Sequence, residues 1–130
     1  MDITMTSIGK IRSGLKRIQD CPKQESEHAP AAVLVIDEAF SDAAKDLHAG
    51  DRLILLTWLH GGRRDELTTR PRDNAAAPFK GVFSTRSPNR PNPIGLHHIE
   101  IVEKLGPLEW RVSAIEVLNG TPVIDIKPVL

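Results

Sequence analysis

Side chains able to do chemistry gather at three places where the backbone of this chain is held still. The first is Gly81 to Gly95, GVFSTRSPNRPNPIG, in which Pro88, Pro91 and Pro93 are interleaved with Asn89, Arg90 and Asn92. Each proline fixes φ at about −65°, lacks a backbone donor and pushes the residue before it out of the α region. The segment is therefore neither a helix nor a central strand. It reads as a stiff loop presenting Arg86 and Arg90, whose forked guanidinium donors suit a carboxylate or a phosphate. The second place is His60, which ends an apolar run and opens into Gly61-Gly62, where backbone can approach a ligand closely. The third is NGTPVIDIKP, Asn119 to Pro128, a tight turn leading into a strand with Asp125 and Lys127 on one face. Each has an ordinary reading as well: a connector with solvated arginines, a half-buried histidine, a solvated strand face.

Standard catalytic signatures are absent: no Walker loop, no strand followed by GxGxxG, no HExxH and no GxSxG elbow. Cys21 is the single cysteine, so neither an intramolecular disulfide nor a thiolate metal cluster is expected. Of the histidines His28, His48, His60, His97 and His98, the adjacent pair His97-His98 would point to opposite faces of a strand. No metal site is expected.

The elements that must position these groups are short and rich in β-branched residues. Strands are expected at Ile8–Ile11, Ala31–Ile36, Leu53–Leu59, Lys80–Thr85, Leu96–Glu103, Trp110–Leu118 and Val123–Ile126, with turns at Gly106-Pro107 and Asn119-Gly120. The third run, LILLTWL, is apolar throughout and predicts burial on both faces. One short helix is expected, with Ser41 as N-cap, Ala43, Ala44 and Leu47 on its apolar face, and Gly50 as its stop. The fold class is mainly β: a small, predominantly antiparallel β-barrel of about seven strands with one short helix.

The 130 residues suit one domain, 1–130, with a real core. The formal net charge is zero, which argues against coating nucleic acid by bulk electrostatics. Arg63, Arg64, Arg70, Arg72, Lys80, Arg86 and Arg90 nevertheless outnumber Asp65, Glu66 and Asp73 in the middle third. No apolar run is long enough to span a bilayer and the first residues lack a signal pattern, so a cytoplasmic location with no membrane partner is the default expectation.

Three strings together, IGKIRS, GVFSTRSPNRPNPIGL and NGTPVIDIKP, resemble the TsaA-like family, also called YaeB, VirR-like or TrmO. The resemblance runs from Ile8 to Leu130. It implies a small β-barrel working as a homodimer, with S-adenosylmethionine as cofactor. It further implies N6-methylation of N6-threonylcarbamoyladenosine beside the anticodon of tRNA.

Carried onto matching positions, the family's cofactor contacts fall on Pro22, Lys23, Gln24, His60, Gly61, Arg86, Leu96, Leu118, Asn119, Gly120 and Thr121. Arg86 would fork onto the cofactor carboxylate or an RNA phosphate, and Leu96 would supply an apolar wall. His60 is the candidate base for the acceptor nitrogen. Arg90, Asn92, Arg63 and Arg72 are the candidate contacts to tRNA. The chain departs from the family pattern at Gly14, Lys23, Ser84, His97 and Asn119, and Asn119 removes an acidic charge beside the expected cofactor. It also ends without the C-terminal domain of longer bacterial members. Two other readings stay open: a methyltransferase of this fold acting on a small molecule or another RNA, and a cofactor-binding module without catalysis.

Overall fold

The computed structural model describes residues 1–14, 32–70, 76–113 and 115–130. Its strands are β1 (Gly9–Arg12), β2 (Ala32–Ile36), β3 (Arg52–Trp58), β4 (Thr68–Thr69), β5 (Lys80–Gly81), β6 (Ile94–Gly106), β7 (Glu109–Val112) and β8 (Thr121–Pro128). Six of them close into a barrel in the order β1-β2-β7-β6-β3-β8, and β4 and β5 form a separate ribbon. Every neighbouring pair is antiparallel, and β8 closes the ring by pairing with both β1 and β3. The expected architecture is the observed one.

Alternation along the strands fills the barrel. In β6, Gly95, His97, Ile99 and Ile101 are buried while Ile94, Leu96, His98 and Glu100 are exposed. Ile11, Leu34, Leu55, Trp110, Val112, Ile115 and Val123 meet them inside. β3 differs from its expectation. Leu53, Leu55 and Thr57 face inward, but Ile54, Leu56 and Trp58 are only partly covered. A closed barrel has an outside, and a uniformly apolar run does not reveal which of its residues face it.

Other boundaries shift for local reasons. The expected strand Lys80–Thr85 stops at Gly81 and becomes the 3-10 turn Val82–Ser84, because Thr85 donates to the Val82 carbonyl from both its backbone N–H (3.1 Å) and its hydroxyl (2.9 Å). The strand expected to Leu118 ends at Val112, where the Ser113 hydroxyl takes the Glu100 N–H at 2.9 Å in place of a backbone carbonyl. The expected helix is a kinked 3-10 segment, Glu38–Ala44, which starts after Asp37 rather than at Ser41 and has no side-chain cap bond. Gly50 lies beyond it with φ 92°, a conformation that suits glycine. No helix among the described residues is long and apolar enough to cross a membrane.

Candidate functional site

The proline loop folds back on the turn that follows β3, and the lock is polar. The Leu59 N–H donates to the Pro93 carbonyl at 2.8 Å, and the Arg90 N–H donates to the Arg63 carbonyl at 2.9 Å. In return the Arg63 N–H donates to Asn89 Oδ1 at 2.9 Å. Arg64 spans the seam: its Nε donates to the Pro91 carbonyl at 2.8 Å and its Nη2 to Asn92 Oδ1 at 3.1 Å, with the guanidinium 5.2 Å from the centre of the Trp58 ring. Gly62 permits the approach: a Cβ there would lie 2.5 Å from the Pro88 carbonyl oxygen and 2.9 Å from the Pro93 side chain.

This docking fixes the sequence-predicted residues differently. Arg90 is half-buried and turned into its own loop, with Nη1 donating to the carbonyls of Thr85 (2.9 Å) and Ser87 (3.2 Å). Arg63 is engaged by Asp65 at 3.1 Å and by Glu66 at 3.5 Å. Its hydrogen bond holds the Asp65 carboxyl below the usual carboxylate range, and Asp65 and Glu66 raise Arg63 in turn. Asn92 is exposed, with its oxygen occupied by Arg64. His60, Gly61 and Arg86 are exposed, and neither His60 nor Arg86 forms a hydrogen bond or ion pair among the described residues.

The turn before β8 comes out at the same end of the barrel. Val123 pairs with Thr57, so Thr121 and the turn ahead of it stand level with the residues that follow β3. Gly120 adopts φ 85° and donates to the Ile11 carbonyl at 2.7 Å. The Thr121 hydroxyl closes on the Leu118 carbonyl at 2.7 Å. Asn119 Oδ1 accepts the Ser13 N–H at 3.0 Å, so this side chain ties the turn to the end of β1. Leu96 stands two residues along β6 on the outer wall, opposite Leu56, which in turn pairs with Asp125 of β8. Pro22, Lys23, Gln24 and Arg72 lie outside the described residues.

The sequence reading missed Arg64 as a brace and the buried pair beneath the rim. Thr57 Oγ1 and His97 Nε2 are 2.8 Å apart inside the barrel. Neighbouring arginines marked a basic stretch without saying which would turn inward to the loop. The prediction that His97 and His98 face opposite ways pointed to the pair, but its partner Thr57 lies on the neighbouring strand β3, 40 residues away in sequence. A concave pocket of about 580 Å³ opens at the other end of β3, lined by Ile8, Phe40, Leu47, Leu53 and Ile126; it includes Asp125 and Pro128 from the end of the NGTPVIDIKP string but, among the described residues, none of the expected cofactor contacts. Its polar lining is mainly Asp46, Asp51 and Asp125 against Arg52, a poor match for an anionic ligand. No group of three or more His, Cys, Asp or Glu among the described residues is gathered to hold a metal ion.

A closed antiparallel barrel carrying an RPNPIG loop over one rim defines a small-barrel class distinct from doubly wound nucleotide-binding folds. The chain belongs to the family described as tRNA-methyltransferase O N-terminal domain, whose model matches residues 10–130. It is similar to the probable S-adenosyl-L-methionine-binding protein VirR of Rhizobium radiobacter, 39% identical over 127 residues, covering 98% of this chain and 71% of VirR. A probable S-adenosyl-L-methionine-binding protein of Methanothermobacter thermautotrophicus is 38% identical over 128 residues, covering 98% of this chain and 90% of that protein. Among solved structures, the crystal structure of TrmO from Pseudomonas aeruginosa matches with a TM-score of 0.75 at 30% identity. That match covers 100% of this chain, which spans only 57% of the solved one.

Proposed function

We propose that the chain binds S-adenosylmethionine at the proline-loop rim and transfers its methyl group to N6 of N6-threonylcarbamoyladenosine in tRNA. The family match supports the cofactor, and the observation that carries the site is the exposed, unengaged Arg86 guanidinium beside a loop locked in place. The residues present fit the cofactor: a free fork for its carboxylate, an exposed leucine at Leu96, and the turn Leu118, Asn119, Gly120 and Thr121, held in shape by the bonds of Gly120 to Ile11 and of Thr121 to Leu118, as a rigid edge beside it. His60 with Gly61, and Pro22, Lys23 and Gln24, complete the proposed cofactor contacts. When bound, the cofactor would supply an electrophilic methyl group on a sulfonium.

The chain's own contribution is positional. His60 would accept the proton that N6 of the acceptor releases. Arg63, Arg72, Arg90 and Asn92 would meet the tRNA. Arg90 and Asn92 are held at fixed positions by their bonds at the loop, which lowers the entropy lost on contact.

Incubation with labelled S-adenosylmethionine and total tRNA, followed by nucleoside analysis, tests the reading. Label in methylated threonylcarbamoyladenosine is expected. Label in another nucleoside or a small molecule would replace the acceptor, and cofactor binding without transfer would leave a binding module.

A further inference from the structure

The pocket at the far mouth of the barrel takes no part in the proposed chemistry. β2 ends there at Ile36, β3 begins at Arg52 and β8 runs out at Pro128. Its volume of about 580 Å³ is that of a small-molecule site, and the mouth of a β-barrel is a usual place for one. Phe40, Leu47 and Ile126 are half-buried in its lining and Leu53 is buried. Apolar side chains that line a hollow, instead of projecting from it, suit a compact ligand better than a protein face.

Charge narrows the class. Residues 37–51 supply one side of the pocket and carry Asp37, Glu38, Asp42, Asp46 and Asp51 against Lys45. The Asp46 side chain, in the lining, forms no hydrogen bond or ion pair among the described residues. Asp51 is engaged only by backbone, its Oδ2 accepting the His48 N–H at 2.9 Å. The cations on the adjoining strands have acids of their own: Arg52 lies 3.9 Å from Glu100, and Lys127 lies 3.0 Å from Asp125. RNA or an anionic lipid would be repelled here. A second copy docking about a two-fold axis would set the acidic segment against itself.

We propose that this mouth binds an organic cation, an amine on an aromatic or alkyl body, with the body against Phe40, Leu47 and Ile126 and the ammonium at Asp46 and Asp51. An exposed carboxylate alone holds a cation weakly in water, and burial of the ligand's body supplies the rest. The proposal is independent of the rim reading, since none of the expected cofactor contacts among the described residues lines this pocket.

Calorimetric titration of the full chain with tryptamine, tryptophol and indole-3-propionate tests it, because these probes share a ring and differ in charge. Tryptamine is expected to bind at about millimolar concentration or tighter, and the other two about tenfold more weakly or worse. Asp46→Asn should weaken tryptamine about tenfold and leave tryptophol unchanged. Asp46 is exposed, so the unfolding midpoint of this variant should stay where it is. Saturating S-adenosylmethionine should leave tryptamine binding unchanged. No saturable tryptamine binding at millimolar concentration, equal affinity for the probes, or unchanged affinity in Asp46→Asn overturns the site. Displacement of tryptamine by S-adenosylmethionine overturns it as a second site and moves the cofactor to this mouth. Asp46-dependent binding of a leucine–lysine peptide without binding of tryptamine overturns it in favour of a protein partner. Asp46-dependent tryptamine binding by a protein that fails to methylate tRNA upholds this site and sinks only the rim reading.

Discussion

At the scale of single residues, the pair Thr57–His97 anchors the rim from beneath. His97 is buried, and Gly95 packs so closely that a Cβ there would lie 2.5 Å from Thr57 Oγ1 and 2.7 Å from His97 Nε2. Replacing Thr57 by valine keeps the shape and removes that partner from a buried ring nitrogen. Urea unfolding of Thr57→Val should show a loss of about 1–3 kcal/mol. Arg86 is exposed, so Arg86→Ala should leave the unfolding midpoint almost unmoved. The same change should weaken S-adenosylmethionine binding by about tenfold or more in a calorimetric titration, the scale of a lost charged hydrogen bond. Unchanged affinity would remove Arg86 from the site. The Asp65 carboxylate, held low by Arg63, contributes stability that is present above its unfolded-state pKa and fades as pH falls through the lower folded value. Both partners are well exposed, so acid titration of Asp65→Asn should differ little from the parent.

At the scale of elements, the docked loop behaves as one unit with the turn after β3. Gly62→Ala would force the Pro88 carbonyl and Pro93 away. Amide exchange at Arg90 and Leu59, whose N–H groups close the seam, should speed up. Exchange at Ile101, bonded to Asp51 at the far end, should not. How much of this was legible follows from the range of each cue. The Asn119-Gly120 turn was readable because glycine alone signals φ 85° there. β6 was readable from alternation, and the stiffness of the proline loop from covalent geometry. What the loop would rest on was not, because the Arg64–Asn92 contact joins segments 28 residues apart. Nor was the 3-10 turn at Val82, which Thr85 closes through two short-range bonds to the Val82 carbonyl, from its N–H and its hydroxyl. The strand shrinks to Lys80–Gly81, whose partner is the two-residue Thr68–Thr69, and lysine and glycine are themselves poor strand formers.

At the scale of the whole molecule, the outer wall across β3 and β6 presents Leu56, Trp58, Ile94 and Leu96 side by side. We propose this wall as the face through which two copies associate, in keeping with the homodimer that the family resemblance implies. Light scattering should return twice the 14.3 kDa chain mass at micromolar concentration. A glutamate at Leu56 should return the single-chain mass, since a carboxylate on that wall would lose its water on association. The closure of the barrel has its own consequence for synthesis. β8 sits between β1 and β3, so until Thr121–Pro128 has left the ribosome, two complete strands stand with open edges. A nascent chain stalled before Thr121 should therefore aggregate or recruit chaperones, and the arrival of Thr121–Pro128 should decide in one step whether the barrel closes.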